Sequence, residues 1–466
     1  MTNPFYLIEP KILPPLDLAF RPAVLAKQTF QNDLNKSGDG LPFCLVLERP
    51  DDSVSHYPFL VTPPNHPRAA ESLYNTERIL KFLLWQKGGW KIYAAGQPYL
   101  AAYLQEQYST TGTRAFDYHF FSNQVYERPL TILCCTMDNI PPEKEKEKSL
   151  GRHLDGKRIG FDLGASDLKI SAVINGEVVF SKEIVWEPRI QVNPHYHYSY
   201  IINALKLAAS KLPKVDAIGG SSAGVYVNNR VMVASLFRNI PPEQFHQVRD
   251  MFLTIQKEFD VPLEVVNDGE VTALAGSMSL GVNGILGIAL GSSEAGGYVT
   301  KKGNITSWLN ELAFAPIDYN PTAPFDEWSG DQGCGASYLS QQCVFRLAEK
   351  AGIQLPIQVT DAEKLHYAQE LLQNQDERAI SIWKTMGVYL GYALAHYAEF
   401  YPLEHILILG RCTSGDGGTI LLQESKHILK TEFPSLYDII NIHLPDEKSR
   451  RVGQSIAAAS LPIIVN

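Results

Sequence analysis

The sequence predicts an α/β protein with two or three domains and a ligand-binding cleft between two α/β halves. The chain has 466 residues, which is enough for more than one hydrophobic core. Apolar, strand-like runs alternate with helical patterns along most of its length. Four loops of small residues each follow an apolar strand, at residues 162–166, 219–224, 291–297 and 410–418. Such loops let backbone N–H groups approach a phosphate closely, so we expect a phosphorylated ligand in the cleft.

Composition and charge narrow the class of protein. Hydrophobic residues make up 45% of the chain and charged residues 20%, and the net charge is −9. This acidic balance, without a long basic stripe, disfavours broad contact with nucleic acid or an anionic membrane. No apolar run approaches the roughly 18 residues of a membrane span, and the N-terminal segment lacks a signal-peptide pattern. Six scattered cysteines without a C-x-x-C pair favour a reducing compartment, so we expect a cytoplasmic protein.

Residues 1–136 are predicted to form a small α/β domain, whose role no motif reveals. Apolar residues recur at helical spacing over 71–87, and Gly88 and Gly89 end that helix. A strand over 90–95, a helix over 97–107 and a strand over 128–136 follow. Residues 137–157 are predicted to be a charged linker. Its alternating run 143–148, EKEKEK, is typical of a solvated helical turn or a disordered tether.

Residues 158–180 predict three antiparallel strands. The first turn contains Gly164, Ala165 and Ser166, and Asn175-Gly176 is a two-residue hairpin signal. Asp162 ends the first strand, where it could hold a hydrated Mg²⁺ beside an anion bound by the turn. An ordinary hairpin that ends in an acidic residue is the alternative interpretation.

The remaining elements are predicted from apolar spacing and from glycines at their ends. Strands are expected at 215–220, 263–268, 284–290, 405–409 and 439–443, and helices at 199–211, 245–259, 269–279, 336–350, 361–372, 375–400 and 453–461.

Taken in order, these motifs resemble the ROK (repressor, open reading frame, kinase) family of sugar kinases, within the actin/hexokinase/Hsp70 fold. The resemblance covers residues 158–466. The family's D-x-G-G-T-x-x-K corresponds to residues 162–169, its N-D-A-N-A-A-A-L-A to 267–275, its L-G-T-G-x-G-G-G to 290–297, its G-E-x-G-H to 310–314, and its L-G-G-G to 409–412 with the small residues 413–418.

The resemblance implies duplicated ribonuclease H-like lobes of the actin/hexokinase type with an interlobe cleft, preceded by the small α/β domain. Residues 158–285 would form the first lobe, completed by a C-terminal helix at 450–466. Residues 286–449 would form the second lobe.

The resemblance also implies an ATP-dependent sugar kinase that uses Mg²⁺. Asp268 would be the general base that accepts a proton from the attacking sugar hydroxyl. Asn267, Glu311 and Gly220 would contact the sugar, and Asp162 would position Mg²⁺ through water. The nucleotide would be held by Gly164, Ala165, Ser166, Lys169, Gly291, Ser292, Ser293, Gly296, Gly410 and Arg411. The expected partners are therefore a small-molecule sugar and a nucleotide, without nucleic acid or membrane, and a homodimer is left open.

The chain departs from the family pattern at two sites. Family members usually bind zinc through the histidine of G-E-x-G-H and three cysteines. Here Phe314 replaces that histidine and only Cys334 remains in residues 329–334, so we predict no structural zinc. Glu294 lies in the predicted phosphate loop, where it either points away or weakens ATP binding. Arg411 replaces a glycine and could stack on adenine or block it.

The residues therefore leave three functions open. The first is the ATP-dependent sugar kinase, which Asp268 favours. The second is a non-catalytic protein that senses a sugar or nucleotide, which Glu294 favours. The third is a hydrolase or a structural member of the actin-like fold. Family repressors carry an N-terminal helix-turn-helix, but the strand predicted at 90–95 and the lack of a basic recognition helix argue against DNA binding.

Overall fold

The computed structural model describes residues 7–148, 150–444 and 447–464, and shows an α/β protein built on mixed sheets. The predicted α/β class is confirmed. Within these ranges, no helix is long and apolar enough to cross a membrane.

The N-terminal part contains a four-stranded sheet in the order β2-β1-β3-β4. Its strands are β1 (Leu41–Glu48), β2 (Val54–Val61), β3 (Lys91–Ala95) and β4 (Thr131–Cys135), and its helices are α1 (Ala23–Ser37), α2 (Ala69–Lys87), α3 (Pro98–Gln107) and α4 (Ala115–His119). Helices α2 and α3 and strands β3 and β4 lie where the sequence predicts them. Helix α1 is not predicted, because the prolines before it dominate the local pattern.

The predicted charged linker is not a free tether over the run 143–148. Lys144 forms a bridge with Val54, and strand β5 (Glu147–Lys148) pairs with a strand at Ile305–Thr306. The Glu145 carboxylate accepts hydrogen bonds from Arg49 and Lys87. The tether prediction is therefore wrong here, because Glu145 and Glu147 have basic partners elsewhere in the chain.

A second sheet has the order β12-β9-β6-β7-β8. Its strands are β6 (Lys157–Leu163), β7 (Asp167–Ile174), β8 (Glu177–Val185), β9 (Ala217–Ser222) and β12 (Leu263–Asn267). A two-stranded ribbon joins β10 (Val225–Val227) and β11 (Arg230–Val233), and the helices are α5 (Pro194–Ala209), α6 (Phe245–Arg249) and α7 (Met251–Phe259). Strands β6, β7 and β8 are antiparallel, as predicted, whereas β6, β9 and β12 run parallel.

A third sheet has the order β17-β16-β13-β14-β15-β5. Its further strands are β13 (Ile285–Leu290), β14 (Glu294–Val299), β15 (Ile305–Thr306), β16 (His405–Leu409) and β17 (Asn441–His443). The remaining helices are α8 (Asp268–Leu280), α9 (Gln341–Lys350), α10 (Asp361–Gln373), α11 (Glu377–Tyr397), α12 (Asp416–Glu432), α13 (Pro434–Tyr437) and α14 (Glu447–Ala459). Helix α14 packs on β6, β7 and β9 of the second sheet and on α8.

The N-terminal part and the third sheet share one hydrophobic core. The Phe82 ring of α2 stacks on Phe400 with 3.7 Å between ring centroids, and Trp85 lies 4.2 Å from Phe314. Phe20 contacts Tyr389 of α11 at 4.8 Å. The second sheet has a core of its own. The chain thus buries its apolar residues in units that do not follow the boundary expected at residue 136.

Candidate functional site

Three parallel strands place the predicted acidic residues at one edge of the second sheet. The register pairs Asp162 of β6 with Ser221 of β9, and Ser222 with Asn267 of β12. The Ser221 hydroxyl donates a hydrogen bond of 2.8 Å to Asp162 Oδ1. The carboxyl ends of these strands therefore bring Asp162 and Asp268 to the same edge.

Asp268 is the first residue of helix α8 and occupies an acidic environment. The Gly269 N–H donates to its Oδ1 at 3.0 Å. Burial, together with the negative charge of Asp162, raises the pKa of Asp268 to about 6. Burial also raises the pKa of Asp162, despite its hydrogen bond from Ser221. Asp268 is thus mostly ionised at neutral pH, but it is a stronger base than an ordinary aspartate.

Lys169 lies beside Asp162 but is shared with a second acid. Its Nζ is 3.8 Å from Asp162 Oδ2 and 3.2 Å from Asp167 Oδ1. The side chain is about one-third exposed, so it remains accessible from solvent.

Asn267 and Gly220, both predicted to contact a sugar, have structural explanations. The Asn267 Oδ1 accepts from the Gly269 N–H at 2.7 Å and caps α8, and its Nδ2 donates to the Gly224 carbonyl at 2.8 Å. Gly220 is buried within β9, where a Cβ would lie 2.1 Å from the Phe161 ring. Packing under that ring accounts for the glycine, and a sugar contact by either residue stays a prediction.

The first predicted phosphate turn is short and tightly held. The Gly164 N–H donates to the Asp167 carbonyl at 2.8 Å, and the Trp186 indole N–H donates to the Gly164 carbonyl at 2.9 Å. Ala165 and Ser166 are exposed at the tip. These two residues form the part of the turn that faces solvent and that a ligand could reach.

The second predicted phosphate loop is a hairpin beside the start of α8. Leu290 of β13 pairs with Glu294 of β14, so the turn consists of Gly291, Ser292 and Ser293. Both serines are exposed. A Cβ at Gly269 would lie 2.2 Å from the carbonyl oxygen of Gly296, which means that α8 packs directly on β14. The residue after Asp268 therefore contacts the strand that follows the hairpin.

Glu294 points away from the hairpin tip and into the protein. Its side chain is 2% exposed, and its Oε1 accepts a hydrogen bond of 2.9 Å from the Tyr397 hydroxyl. Burial raises its pKa to about 8. Of the two orientations considered from sequence, the structure shows the one in which the carboxyl group does not face bound phosphates.

Gly410 lies against the end of β13. Its φ is 105°, and a Cβ there would lie 2.3 Å from the Leu290 carbonyl oxygen, so glycine is required for both reasons. The Arg411 side chain is exposed, and its carbonyl accepts from Gln369 at 2.7 Å. Since β13 and β16 are parallel neighbours, this turn and Gly291 lie side by side.

The loop that carries Glu311 is held by helix α2. The N–H groups of Asn310 and Glu311 donate to the carbonyl oxygens of Gln86 and Trp85, at 2.9 and 3.0 Å. Burial, and after it the charge of Asp268, raises the pKa of Glu311 to about 7. This support could not be predicted from the sequence, because residues 85–86 lie far from Glu311 along the chain.

Residues 329–334 are also held by the N-terminal helices. Asp331 accepts from Arg78 at 2.9 Å and from Arg114, and lies 3.2 Å from Lys81 Nζ. These three cations lower the pKa of Asp331, whereas burial raises the pKa of the Cys334 thiol. Among the residues that the structure describes, no group of three His, Cys, Asp or Glu side chains is arranged to hold a metal ion.

Comparison with known proteins identifies the fold. No family model and no curated protein matches the sequence. Among solved structures, a ROK hexokinase from Thermus thermophilus matches with a TM-score of 0.52 and 15% identity, over 65% of this chain and 97% of that one.

Two further structures give the same result. A ROK transcriptional regulator, a homologue of the E. coli MLC protein, matches with a TM-score of 0.53 and 17% identity, over 66% of this chain and 78% of that one. A putative sugar kinase from Cytophaga hutchinsonii matches with a TM-score of 0.50 and 15% identity, over 64% and 98% of the two chains. The resemblance predicted from the motifs is therefore confirmed at the level of the fold, which kinases and regulators share.

Proposed function

From the fold that this chain shares with ROK proteins, we propose that it is an ATP-dependent sugar kinase with Asp268 as its general base. The observation that carries the proposal is the environment of Asp268. The carboxyl group lies at a strand edge beside Asp162, and its pKa is raised to about 6. A carboxylate with this pKa is ionised at neutral pH and takes a hydroxyl proton more readily than an ordinary aspartate.

Glu311 supplies the neighbouring polar group for a sugar. Its pKa of about 7 means that both its protonated and its ionised forms are populated near neutral pH. The carboxyl group can therefore donate a hydrogen bond to a hydroxyl or accept one from it. The hydrogen bonds from its loop to α2 hold the main chain of Asn310 and Glu311 in place.

The nucleotide would lie between the two exposed turns. Ala165 and Ser166 face solvent in the first turn, and Ser292 and Ser293 do so in the second. Small exposed residues allow backbone N–H groups to approach phosphate oxygens. Because Glu294 is buried against Tyr397, it places no carboxylate at this site.

The acidic edge also fits a magnesium ion. Burial raises the pKa of both Asp162 and Asp268, and the charge of Asp162 adds to the rise at Asp268. Hard oxygen ligands with excess negative charge suit Mg²⁺, which binds through one or two carboxylates and keeps several waters. Asp162 would hold the ion through water, and the ion would neutralise phosphate charge. Phosphoryl transfer depends mainly on such positioning and charge stabilisation.

Calorimetry and turnover assays test the proposal. ATP with Mg²⁺ should bind to the full chain, and ADP should form with at least one member of a panel of monosaccharides. Asp268→Asn should lower kcat by about 10²- to 10⁴-fold, the range typical of a positioned general base. Asp260→Asn, a substitution of an exposed aspartate at the end of α7, is the matched control and should leave kcat unchanged.

The same assays separate the alternatives. Absence of heat with every nucleotide would exclude the kinase. Nucleotide or sugar binding without ADP formation would instead support the non-catalytic sensor. An unchanged kcat in Asp268→Asn would show that the base is another residue.

A further inference from the structure

An open groove lies between the N-terminal part of the chain and the elements that follow β11. It has a volume of about 710 Å³, which is within the range of small-molecule sites. One wall contains Asn123 and Gln124 of the π-helical turn Phe120–Val125, and the other contains residues of the segment 232–242 and of α6. Trp328 completes the groove. None of the residues assigned above to the sugar, the nucleotide or Mg²⁺ is among its lining residues, so the groove is not built from the proposed phosphoryl-transfer site.

Trp328 gives the groove an apolar surface with a fixed position. Its side chain is 56% exposed, although tryptophan is highly buried on average. The indole ring packs against Phe314, Phe116 and Phe120, with centroid distances of 5.2, 5.8 and 5.9 Å. In the opposite wall, the Phe237 side chain is buried. An exposed aromatic ring that the protein already holds in place loses little entropy when it contacts a ligand.

The charged residues of the groove do not balance. Arg249 Nη1 donates to the Glu127 carboxylate at 2.8 Å, and Glu127 also lies 3.5 Å from Arg230. Asp250 pairs with both arginines, so this cluster of two acids and two bases is neutral. Arg238 also lines the groove, is exposed, and has no carboxylate partner in the part of the chain that the structure describes. The groove therefore has one positive charge in excess, on a flexible side chain of its wall.

A second arginine, Arg189, lies on the turn next to that of Arg238. The short helical turns at these two residues pack on each other, and the buried His197 ring joins them. Its Nε2 lies 3.0 Å from the Pro188 carbonyl oxygen and 3.3 Å from that of Leu236. Burial lowers the pKa of Arg189, and the charge of Arg238 lowers it further. Because the two guanidinium groups repel each other, an anion beside these turns would be stabilised.

The walls and the charge together indicate the class of ligand. The apolar lining residues, which include Met232, Ile240 and Trp328, suit a hydrocarbon or aromatic body. The unpaired positive charge suits a carboxylate, because a charge-assisted hydrogen bond from arginine is stronger than a neutral one. We propose that the groove is a second ligand site, which binds a small amphipathic carboxylate with an apolar body. Trp328 contacts that body, and Arg238 pairs with the carboxylate.

Calorimetry on the full chain, without nucleotide or sugar, tests this site with three probes. Phenylacetate has both the apolar body and the charge, phenylethanol has a similar body without the charge, and acetate has the charge without the body. Phenylacetate should bind at least about tenfold more tightly than phenylethanol, because it adds a charge-assisted hydrogen bond. Acetate should bind more weakly than phenylacetate, because it leaves the apolar walls uncovered.

Variants of the groove test the two contacts separately. Arg238→Gln should lower the affinity for phenylacetate to that for phenylethanol and should leave phenylethanol binding unchanged. Arg378→Gln, at an exposed position of α11, is the matched control and should change neither affinity. Trp328→Ala should weaken the binding of both aromatic probes by roughly tenfold or more. Gln124→Trp, at an exposed position of the opposite wall, should obstruct the groove for both probes. Thermal unfolding of each variant checks that the fold is retained.

Three outcomes would overturn the inference. They are no binding of phenylacetate, unchanged phenylacetate affinity in a folded Arg238→Gln variant, and unchanged affinity in both Trp328→Ala and Gln124→Trp. Binding of phenylethanol or acetate as tight as that of phenylacetate would contradict the assigned ligand class. Asp268→Asn should bind phenylacetate normally, and loss of binding there would place the probe in the proposed kinase site instead. None of these measurements includes a nucleotide, so the kinase proposal is judged separately.

Discussion

Several carboxyl groups around the start of α8 hold their protons more tightly than free side chains do. Burial is the main cause at each, and the pKa rises to about 6 for Asp268, about 7 for Glu311, and about 8 for Glu270 and Glu294. A buried carboxylate without a cation is unstable, so folding favours the neutral form. Proton uptake should therefore be visible both in activity and in stability between pH 4 and pH 8.

The pH dependence of kcat/KM should report Asp268. Below a pH of about 6 the base is protonated and cannot accept the hydroxyl proton, so kcat/KM should fall about tenfold per pH unit. Initial rates between pH 5 and pH 8 at low sugar concentration check this. The residual activity of Asp268→Asn should lack the transition near pH 6. A transition that persists in that variant would assign it to another group.

Removing the charge at Glu294 should stabilise the protein, and more so as the pH rises. The unfolded state loses this proton near pH 4.5, whereas the folded state keeps it until about pH 8. Stability therefore falls as the pH rises through this window. Glu294→Gln should remove this pH dependence. It should raise the free energy of unfolding by on the order of a few kcal/mol at pH 8, but by little at pH 4.5.

Urea unfolding at pH 4.5 and pH 8 measures the effect of Glu294→Gln. Glu183→Gln, at an exposed position of β8, is the control and should change stability little at either pH. If Glu294→Gln changed the free energy of unfolding equally at both pH values, the proton of Glu294 would not be linked to folding.

Among the single elements, helix α2 contributes both to a buried charge cluster and to the support of the loop of Glu311. It carries Arg78 and Lys81, which join Arg114 to form a buried cluster with three acids, Glu77, Asp117 and Asp331. The cluster has three positive and three negative groups and is neutral as a whole. The C-terminal end of the same helix supports the loop of Glu311. Helix α2 therefore links the candidate site to the N-terminal part of the chain.

Lys81→Met should destabilise the protein by about 3–5 kcal/mol, because it leaves buried carboxylates without their cation. Asp117 would then keep only the hydrogen bond from the Trp85 indole among the partners described. Adding Asp117→Asn should recover part of the loss, since the double variant is neutral again. Chemical unfolding gives the free energy of unfolding of the two single variants and of the double variant. Lys36→Met, on the exposed end of α1, is the control. If the stability losses of the two single variants add up to the loss of the double variant, Lys81 and Asp117 are not coupled.

Helices and strands with clear local spacing and turn residues could be predicted from the sequence, but the residues that they contact could not. The strands around Asn175-Gly176 and the helix after Asp268 have local patterns of spacing and turn residues, and they lie where expected. Helix α1 and the contacts of residues 143–148 depend on residues far away along the chain. The sequence left two orientations open for Glu294, because only the pairing of β14 and the packing of Tyr397 decide which way the side chain points.

At the scale of the whole molecule, the N-terminal part and the third sheet behave as one packing unit. Phe82, Trp85 and Phe20 insert among rings contributed by residues beyond 310. Such a shared core resists separation more strongly than a small domain interface does. We therefore expect residues 7–136 to remain attached even when the peptide chain is cut.

A protease site inserted after the exposed Glu143 tests this attachment. After cleavage, both fragments should elute together in native gel filtration, and they should separate only in denaturant. The uncut inserted protein is the control and should elute at the same volume. Elution of a free N-terminal fragment under native conditions would support the independent small domain that the sequence predicted.

The position of α14 has a consequence for synthesis on the ribosome. This helix covers β6, β7 and β9, yet the whole sequence from 186 to 446 lies between β8 and the start of α14. A nascent chain that has made only the second sheet lacks that cover, and its apolar surface stays open to chaperones or to other chains. Covering of this face of the sheet must therefore wait until residues 447–459 have been translated, however early its strands emerge.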